Sequence, residues 1–276
     1  MLTSAQSYRS RFCDLIRTQT GIKLHSGRKE MIEIRLRRRI QALGATDLDG
    51  YLVQLFDKGL LDQELPQAID LLTTNKTDFF REPAHFEILT DRILPEAIGR
   101  AAPSALRFKV WSAASSEGAE AFTAAMVLAE ATRRHRFTFA VLGTDISRRM
   151  IAKANQAIYS AQQLAPVPQA LRDRYTMPGR TAAARGTARI VPELRARVRF
   201  RHLNLMDAVY PVDHDVDVIF LRNILIYFGP EDQAAVIARL TAHIAPGGYL
   251  IVGHAESMIV NHPALRQISP AVFRKE

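Results

Sequence analysis

Two carboxylates and a loop of small residues are the first groups in this sequence that could do chemistry together. Residues 107–130, RFKVWSAASSEGAEAFTAAMVLAE, pass from a β-prone run through the small polar stretch 112–118 into helix formers from Ala119 onward. A strand, a tight loop and a helix follow from that pattern. Small residues at a helix N-terminus let a ligand reach unpaired N–H groups at the positive end of the dipole. Glu120 stands just behind the loop, and a second strand-like run, ending in VLGTD, closes on Asp145. In a Rossmann-type sheet an acid at that place binds ribose hydroxyls. Only Gly118 is present where a G-x-G-x-x-G turn needs three glycines. A pyrophosphate cradle is therefore not encoded, and a nucleoside cofactor without one is expected.

The elements that must position these groups alternate strand and helix. Strands are expected at 107–111, 137–142, 198–203, 216–221, 249–252 and 271–274, with helices after the first two at 119–130 and 146–160. The cores of runs such as DVDVIFL and GYLIVG, VIFL and YLIV, are continuously apolar, which fits a mostly parallel sheet covered on both faces. Ligands in such sheets bind beyond the carboxyl ends of the strands. Those ends carry Glu120, Asp145, Asn204, Leu205, Arg222, Asn223, Tyr227, His254 and Glu256. His254 reads as a structural residue at a strand end, held by Glu256 and Ser257. No metal-ligating set is singled out. Before the sheet, residues 1 to about 75 read as a small all-helical domain, and 76–276 as the ligand-binding domain. Its helices are expected around 8–16, 28–43, a segment opened by Thr46 and Asp49, and 65–72, with a further helix from Pro83 to Ile93. The stretch from about 177 to 199 is too long for an ordinary connection and reads as a small inserted β-subdomain rich in arginine.

Charge narrows the partners. The 276 residues carry a formal net charge of +9, which implies an acidic partner. On the helix at 28–43, Arg28, Arg35, Arg38 and Arg39 fall on one flank of an apolar face, and this stripe is expected to dock an acidic protein surface. No apolar run approaches the roughly 18 residues of a membrane span, and MLTSAQSYRSRF has no apolar signal core. With a single cysteine, Cys13, no internal disulfide forms, and a cytoplasmic protein is expected.

TTNKTDFFREPAHFEIL, VWSAASSEGAE, GTDIS, NLMD, DVIFLRNILIYF and GGYLIVGHAES occur in this order over nearly the whole chain. The set closely resembles the CheR-type chemotaxis methyltransferases. That resemblance implies an α/β fold: a Rossmann-like methyltransferase sheet, a helical N-terminal domain and the small insert. It implies S-adenosylmethionine as cofactor, S-adenosylhomocysteine as product, and methylation of glutamate side chains on the acidic helical region of membrane chemoreceptors. Residue by residue, it places Asn75, Thr77, Arg81, Glu120, Asp145, Asn204, Leu205 and Asn223 around the cofactor, and Arg81 and Tyr227 nearest the transferred methyl group. A monomer without nucleic-acid partner or membrane insertion is expected. The family's usual G-x-S-x-G-E-E-P-Y-S becomes ASSEGAEAFT here, so the first acid, the proline and the tyrosine are replaced by Ala119, Ala121 and Phe122. Cofactor binding is expected to survive because Glu120, Asp145 and Asn204 remain. Two rival readings are a cofactor-binding protein with little turnover and a nucleic-acid methyltransferase. Against the second, RNILIYF stands where an N/D-P-P-Y/F cluster would serve a flipped base.

Overall fold

A computed structural model of the chain describes residues 4–24, 29–100, 106–179 and 181–276. They form two compact units, the first made of the described residues up to 74 with 204–208 and 227–232, and the second of the other described residues.

The first unit is built on α1 (Ser4–Thr20), α2 (Lys29–Ala42), α3 (Leu48–Phe56) and α4 (Leu61–Leu72). The apolar spacing expected of α1 and α2 is the packed face: Phe12, Ile16, Ile32, Leu36 and Ile40 join Leu48, Tyr51, Leu52, Leu55 and Leu72 in one core. Asp47, rather than Thr46, caps α3, its carboxylate accepting from the Gly50 N–H at 2.9 Å. The fourth helix starts at Leu61 rather than Leu65, with Asp62 and Glu64 in its first turn, where acids suit the dipole.

The second unit begins with α5 (Ala84–Ile88), which runs through a π-helical segment, Leu89–Ile93, into α6 (Leu94–Arg100), beyond the expected stop at Ile93. Then come β1 (Arg107–Ala113), α7 (Ala119–Ala131), β2 (Thr138–Asp145), α8 (Arg148–Gln156), β3 (Ile158–Ser160), α9 (Ala161–Leu164), α10 (Gln169–Tyr175), β4 (Thr176–Pro178), β5 (Thr187–Ile190), α11 (Pro192–Arg195), β6 (Val198–His202), β7 (Val216–Leu221), α12 (Pro230–His243), β8 (Ile244–Val252), β9 (Leu265–Ser269) and β10 (Val272–Lys275). The large sheet has the order β6-β2-β1-β7-β8-β10-β9, with β6 to β8 parallel and β10 and β9 antiparallel. Its central strands are buried almost throughout, and residues from α5, α7 and the sheet share one core. The alternating apolar runs thus become the parallel sheet they imply. Strand β9 was not expected, because LRQIS is short and half polar.

A three-stranded antiparallel sheet, order β3-β5-β4, forms the insert. It starts at Ile158, well before the expected boundary near 177. The expected single helix over 146–160 is correspondingly short: Ser147 caps α8, and Ala157 ends it in the left-handed region at φ 53°. Of the insert's arginines, Arg199 lies on β6 of the large sheet, and Arg180 lies outside the described residues. No helix among the described residues is long and apolar enough to cross a membrane.

Candidate active site

The loop between β1 and α7 is held from below by Asp145. Its buried carboxylate accepts the Ser116 N–H on one oxygen and the Ser147 N–H on the other, both at 2.8 Å. One side chain at the end of β2 therefore fixes the small-residue loop and the start of α8 together. Ser116 in turn donates from its hydroxyl to the Asn75 carbonyl at 2.7 Å, which ties the segment before α5 to the same loop. Gly118 caps α7 at φ 90°, and a Cβ there would meet the Phe200 ring at 2.7 Å, so both conformation and space require glycine. Ala119, Ala121 and Phe122, the replaced positions, are buried in the core, with Phe122 against Tyr159 and Phe200.

Thr77, Arg81, Glu120 and Asn223 line one cavity, together with Lys76, Asp78, Ala114 and Arg222. Four of the expected cofactor residues are thus brought together, from three separate stretches of chain. The enclosed space among them is small, about 20 Å³. Five of the eight described non-glycine residues with positive φ, namely Phe80, Glu82, Ala114, Ser116 and Asn223, fall in the same stretches, and such backbone strain is characteristic of functional sites.

Arg222, whose side chain is only 2% exposed, is the electrostatic centre of this group. Its guanidinium reaches the Glu120 carboxylate at 3.1 Å and the Glu82 carboxylate at 3.3 Å, and donates to the Arg81 carbonyl. Glu120 also accepts from the Ser112 hydroxyl at 2.6 Å. Burial pushes the Glu120 carboxyl up from its ordinary range, and the Arg222 charge opposes that shift. His85 lies beside Glu82, and burial first, then the Arg222 charge, lowers its pKa to about 4, so the imidazole is neutral.

Asn223 is positioned by Glu256, which is fully buried in the turn after β8. The Glu256 carboxylate accepts the Asn223 N–H at 2.7 Å and the Gly253 N–H at 2.8 Å on one oxygen, and the Ile226 N–H at 3.4 Å on the other. A Cβ at residue 253 would come within 2.6 Å of the Asn223 amide. The Glu256 carboxylate is thus used by these backbone N–H groups, while the Ser257 N–H donates to the carbonyl of the exposed His254 at 3.4 Å and the Ser257 hydroxyl accepts from the Ala271 N–H.

Asn204, Leu205 and Tyr227 belong to the first unit. There the Asn204 amide donates to the Gln19 carbonyl at 2.6 Å and accepts from the Met206 N–H, Leu205 is buried, and the Tyr227 carbonyl accepts from the Lys23 N–H. The arginine stripe divides. Arg39 pairs with the buried Glu64, its Nε 2.9 Å from the carboxylate, and Arg35 donates to the Leu72 carbonyl, whereas Arg38 is exposed. Arg28 lies outside the described residues. Sequence reasoning placed Arg222 and Glu256 at the strand ends and Ser112 and Ser116 in the loop without giving them a role, and it did not single out Glu82. A charged residue at the end of an otherwise apolar strand run was the available signal for Arg222.

Two family models match the chain: "CheR methyltransferase, all-alpha domain" over residues 10–73 and "CheR methyltransferase, SAM binding domain" over residues 75–272. Chemotaxis protein methyltransferase 2 of Pseudomonas aeruginosa is 32% identical over 254 residues, covering 92% of this chain and 88% of its own. The chemotaxis protein methyltransferase of Klebsiella aerogenes is 35% identical over 247 residues, covering 90% and 82%. Among solved structures, a TehB-like SAM-dependent methyltransferase from Corynebacterium glutamicum is similar at a TM-score of 0.37 and 14% identity, over 70% of this chain and 100% of that one, too distant to bear on function. The two family models together span the strained loop, the Arg222 centre and the helical unit, and the chain belongs to the CheR methyltransferase family.

Proposed function

We propose that this methyltransferase transfers the methyl group of S-adenosylmethionine to glutamate side chains of chemotaxis receptors, giving γ-methyl esters. The observation that carries the reading is the cavity in which Thr77, Arg81, Glu120 and Asn223 meet around Arg222. Its donor set fits the cofactor's amino-acid portion: a carboxylate for an ammonium group, and guanidinium, hydroxyl and amide donors for a carboxylate. The nucleoside portion needs more room than this cavity encloses, and Asp145, Asn204 and Leu205 are proposed for it. Asn75 completes the set of cofactor residues.

The bound cofactor supplies an electrophilic methyl group on a sulfonium. A substrate glutamate is ionised at neutral pH, so no residue of the chain is needed as a general base. Arg81 and the Tyr227 hydroxyl orient that carboxylate for in-line approach. Opposite charges cancel along the path, so a site that excludes water favours it. Arg222 keeps Glu120 and Glu82 compensated, which leaves Arg81 for the substrate.

The helical unit is proposed to recognise the acidic receptor surface. Because Arg35 and Arg39 are engaged within the unit, Arg38 on the exposed side of α2 is the member of the stripe suited to attract it. Incubation with receptor and cofactor radiolabelled in the methyl group is expected to yield alkali-labile label on the receptor. Label stable to alkali, or none under conditions where S-adenosylhomocysteine binds, would sink the reading.

A further inference from the structure

His85 is fully buried, and neither of its ring nitrogens has a hydrogen-bond partner. Buried polar atoms without partners call for an explanation, often an ion or a water. Its Nδ1 lies 3.3 Å from Glu82 Oε2, too poorly aligned to count as a hydrogen bond. The His254 ring lies beside it, with ring centroids 4.9 Å apart. One ligand atom from each of Glu82, His85 and His254 can be chosen so that all lie within 4.8 Å of one another, the one such group among the described residues. Two imidazoles and a carboxylate are the ligand set of a three-protein-ligand zinc site with an open fourth position. A tetrahedral ion with bonds of about 2.0–2.2 Å needs its ligands somewhat closer than they stand, and the exposed His254 can move to close the gap and admit the ion. Glu82 itself stands in the left-handed region at φ 52°, a conformation that costs a non-glycine residue strain.

We propose that Glu82, His85 and His254 form a site for a divalent transition-metal ion such as Zn²⁺, whose occupation weakens cofactor binding by drawing Glu82 away from Arg222. The same Glu82 oxygen faces Arg222 at 3.3 Å, so ion and guanidinium compete for it. With Glu82 taken, Arg222 is compensated by Glu120 alone, at 3.1 Å, and the Glu120 carboxylate is bound more tightly to the arginine and less available to a ligand. The metal site stands on its own geometry; its effect on the cofactor rests on the function proposed above.

The test uses the full chain without a polyhistidine tag, titrated with Co²⁺ and followed by its visible absorption, with Zn²⁺ as competitor. One equivalent is expected to bind. His254→Ala, an exposed change, should lower the affinity by at least about tenfold, and so should His85→Gln, whereas His135→Ala, outside the cluster, should leave it unchanged. Saturating Zn²⁺ should weaken S-adenosylhomocysteine binding by about fivefold or more in the parent chain and not in His254→Ala, and the cofactor product should weaken Co²⁺ binding by the same factor. Absence of a stoichiometric Co²⁺ spectrum, or one unaltered in both His254→Ala and His85→Gln, overturns the site. Metal uptake without any change in S-adenosylhomocysteine affinity overturns the coupling. Failure of S-adenosylhomocysteine to bind in the absence of metal counts against the proposed function and not against the metal site.

Discussion

Replacing Asp145 by alanine removes the acceptor for two backbone N–H groups at once. Both bonds are 2.8 Å long and end on a carboxylate that is only 6% exposed. Hydrogen bonds to charged groups contribute about 1.5–3 kcal/mol each, and a buried donor left alone forfeits that and its hydration. The two together put the loss at about 3–6 kcal/mol. At about 2–4 °C per kcal/mol for a chain of this size, the unfolding midpoint should fall by at least about 6 °C. Asp145→Asn retains one acceptor oxygen and turns an amide NH₂ toward the other donor, so roughly half of the loss is expected to remain. Urea titration and thermal melting of the two variants give these numbers. Calorimetry well below the midpoint should show S-adenosylhomocysteine binding weakened by about 1–3 kcal/mol in the alanine variant, since the loop and the proposed ribose acceptor go together. A midpoint within a degree or two of the parent would refute the clamp, and unchanged affinity would refute the cofactor role.

Arg81→Ala and Tyr227→Phe should lower kcat for receptor methylation far more than they lower cofactor affinity, because both are proposed to act on the incoming carboxylate; equal losses in a paired kinetic and calorimetric measurement would make them cofactor ligands only. Arg39→Ala strands the buried Glu64 and should destabilise the helical unit by about 2–3 kcal/mol in urea titration. Arg38→Glu should leave stability alone and raise KM for receptor most strongly at low salt, and a KM that stays put at low ionic strength removes α2 from substrate recognition. His243 is buried against His214 and its pKa is lowered, chiefly by burial. The native state therefore binds its proton less readily than the unfolded chain, so its contribution to stability is full above the ordinary histidine value of about 6.5 and declines as pH falls through it. Trp111, edge-on to His243 at 5.6 Å, offers a fluorescence readout of unfolding between pH 7 and 5.5, and His243→Gln should flatten that slope; an unchanged slope would place the pH dependence elsewhere.

Local signals in the chain were enough to find most of the sheet and the loop that begins the site. The apolar runs of β7 and β8, the small residues before Ala119 and the acid closing β2 each announce themselves within a few residues. What was not legible depends on partners far along the chain. Arg222 meets Glu120 across a separation of 102 residues, and nothing within the RNILIYF stretch indicates which carboxylates surround it. Glu256 looked like a neighbour of His254 because the two share a turn, whereas its acceptors are used by the backbone after β7. The arginine stripe looked free because the periodicity of α2 shows which flank its residues share but not that Glu64 and the end of α4 lie against that flank. The insert's first strand, only three residues long, was absorbed into the preceding helix because Ala157 carries no glycine-like mark of the turn it makes.

The first unit contains chain from residues 204–208 and 227–232 as well as its own helices. The Gln19 carbonyl waits for Asn204, the Lys23 N–H for the Tyr227 carbonyl, and Gly21 packs where Met206 and Phe228 arrive. During synthesis the four N-terminal helices leave the ribosome before residues 204–232 do, so these contacts of the end of α1 are complete only once the ribosome has passed residue 232. Loop closure over that distance is slow compared with helix formation, so the helical unit spends most of translation with that end unfinished. Truncation after residue 74, or a stalled chain lacking β7, should therefore yield helices whose α1 C-terminus is open to proteolysis, and the time of its protection during synthesis marks when the two late segments have docked.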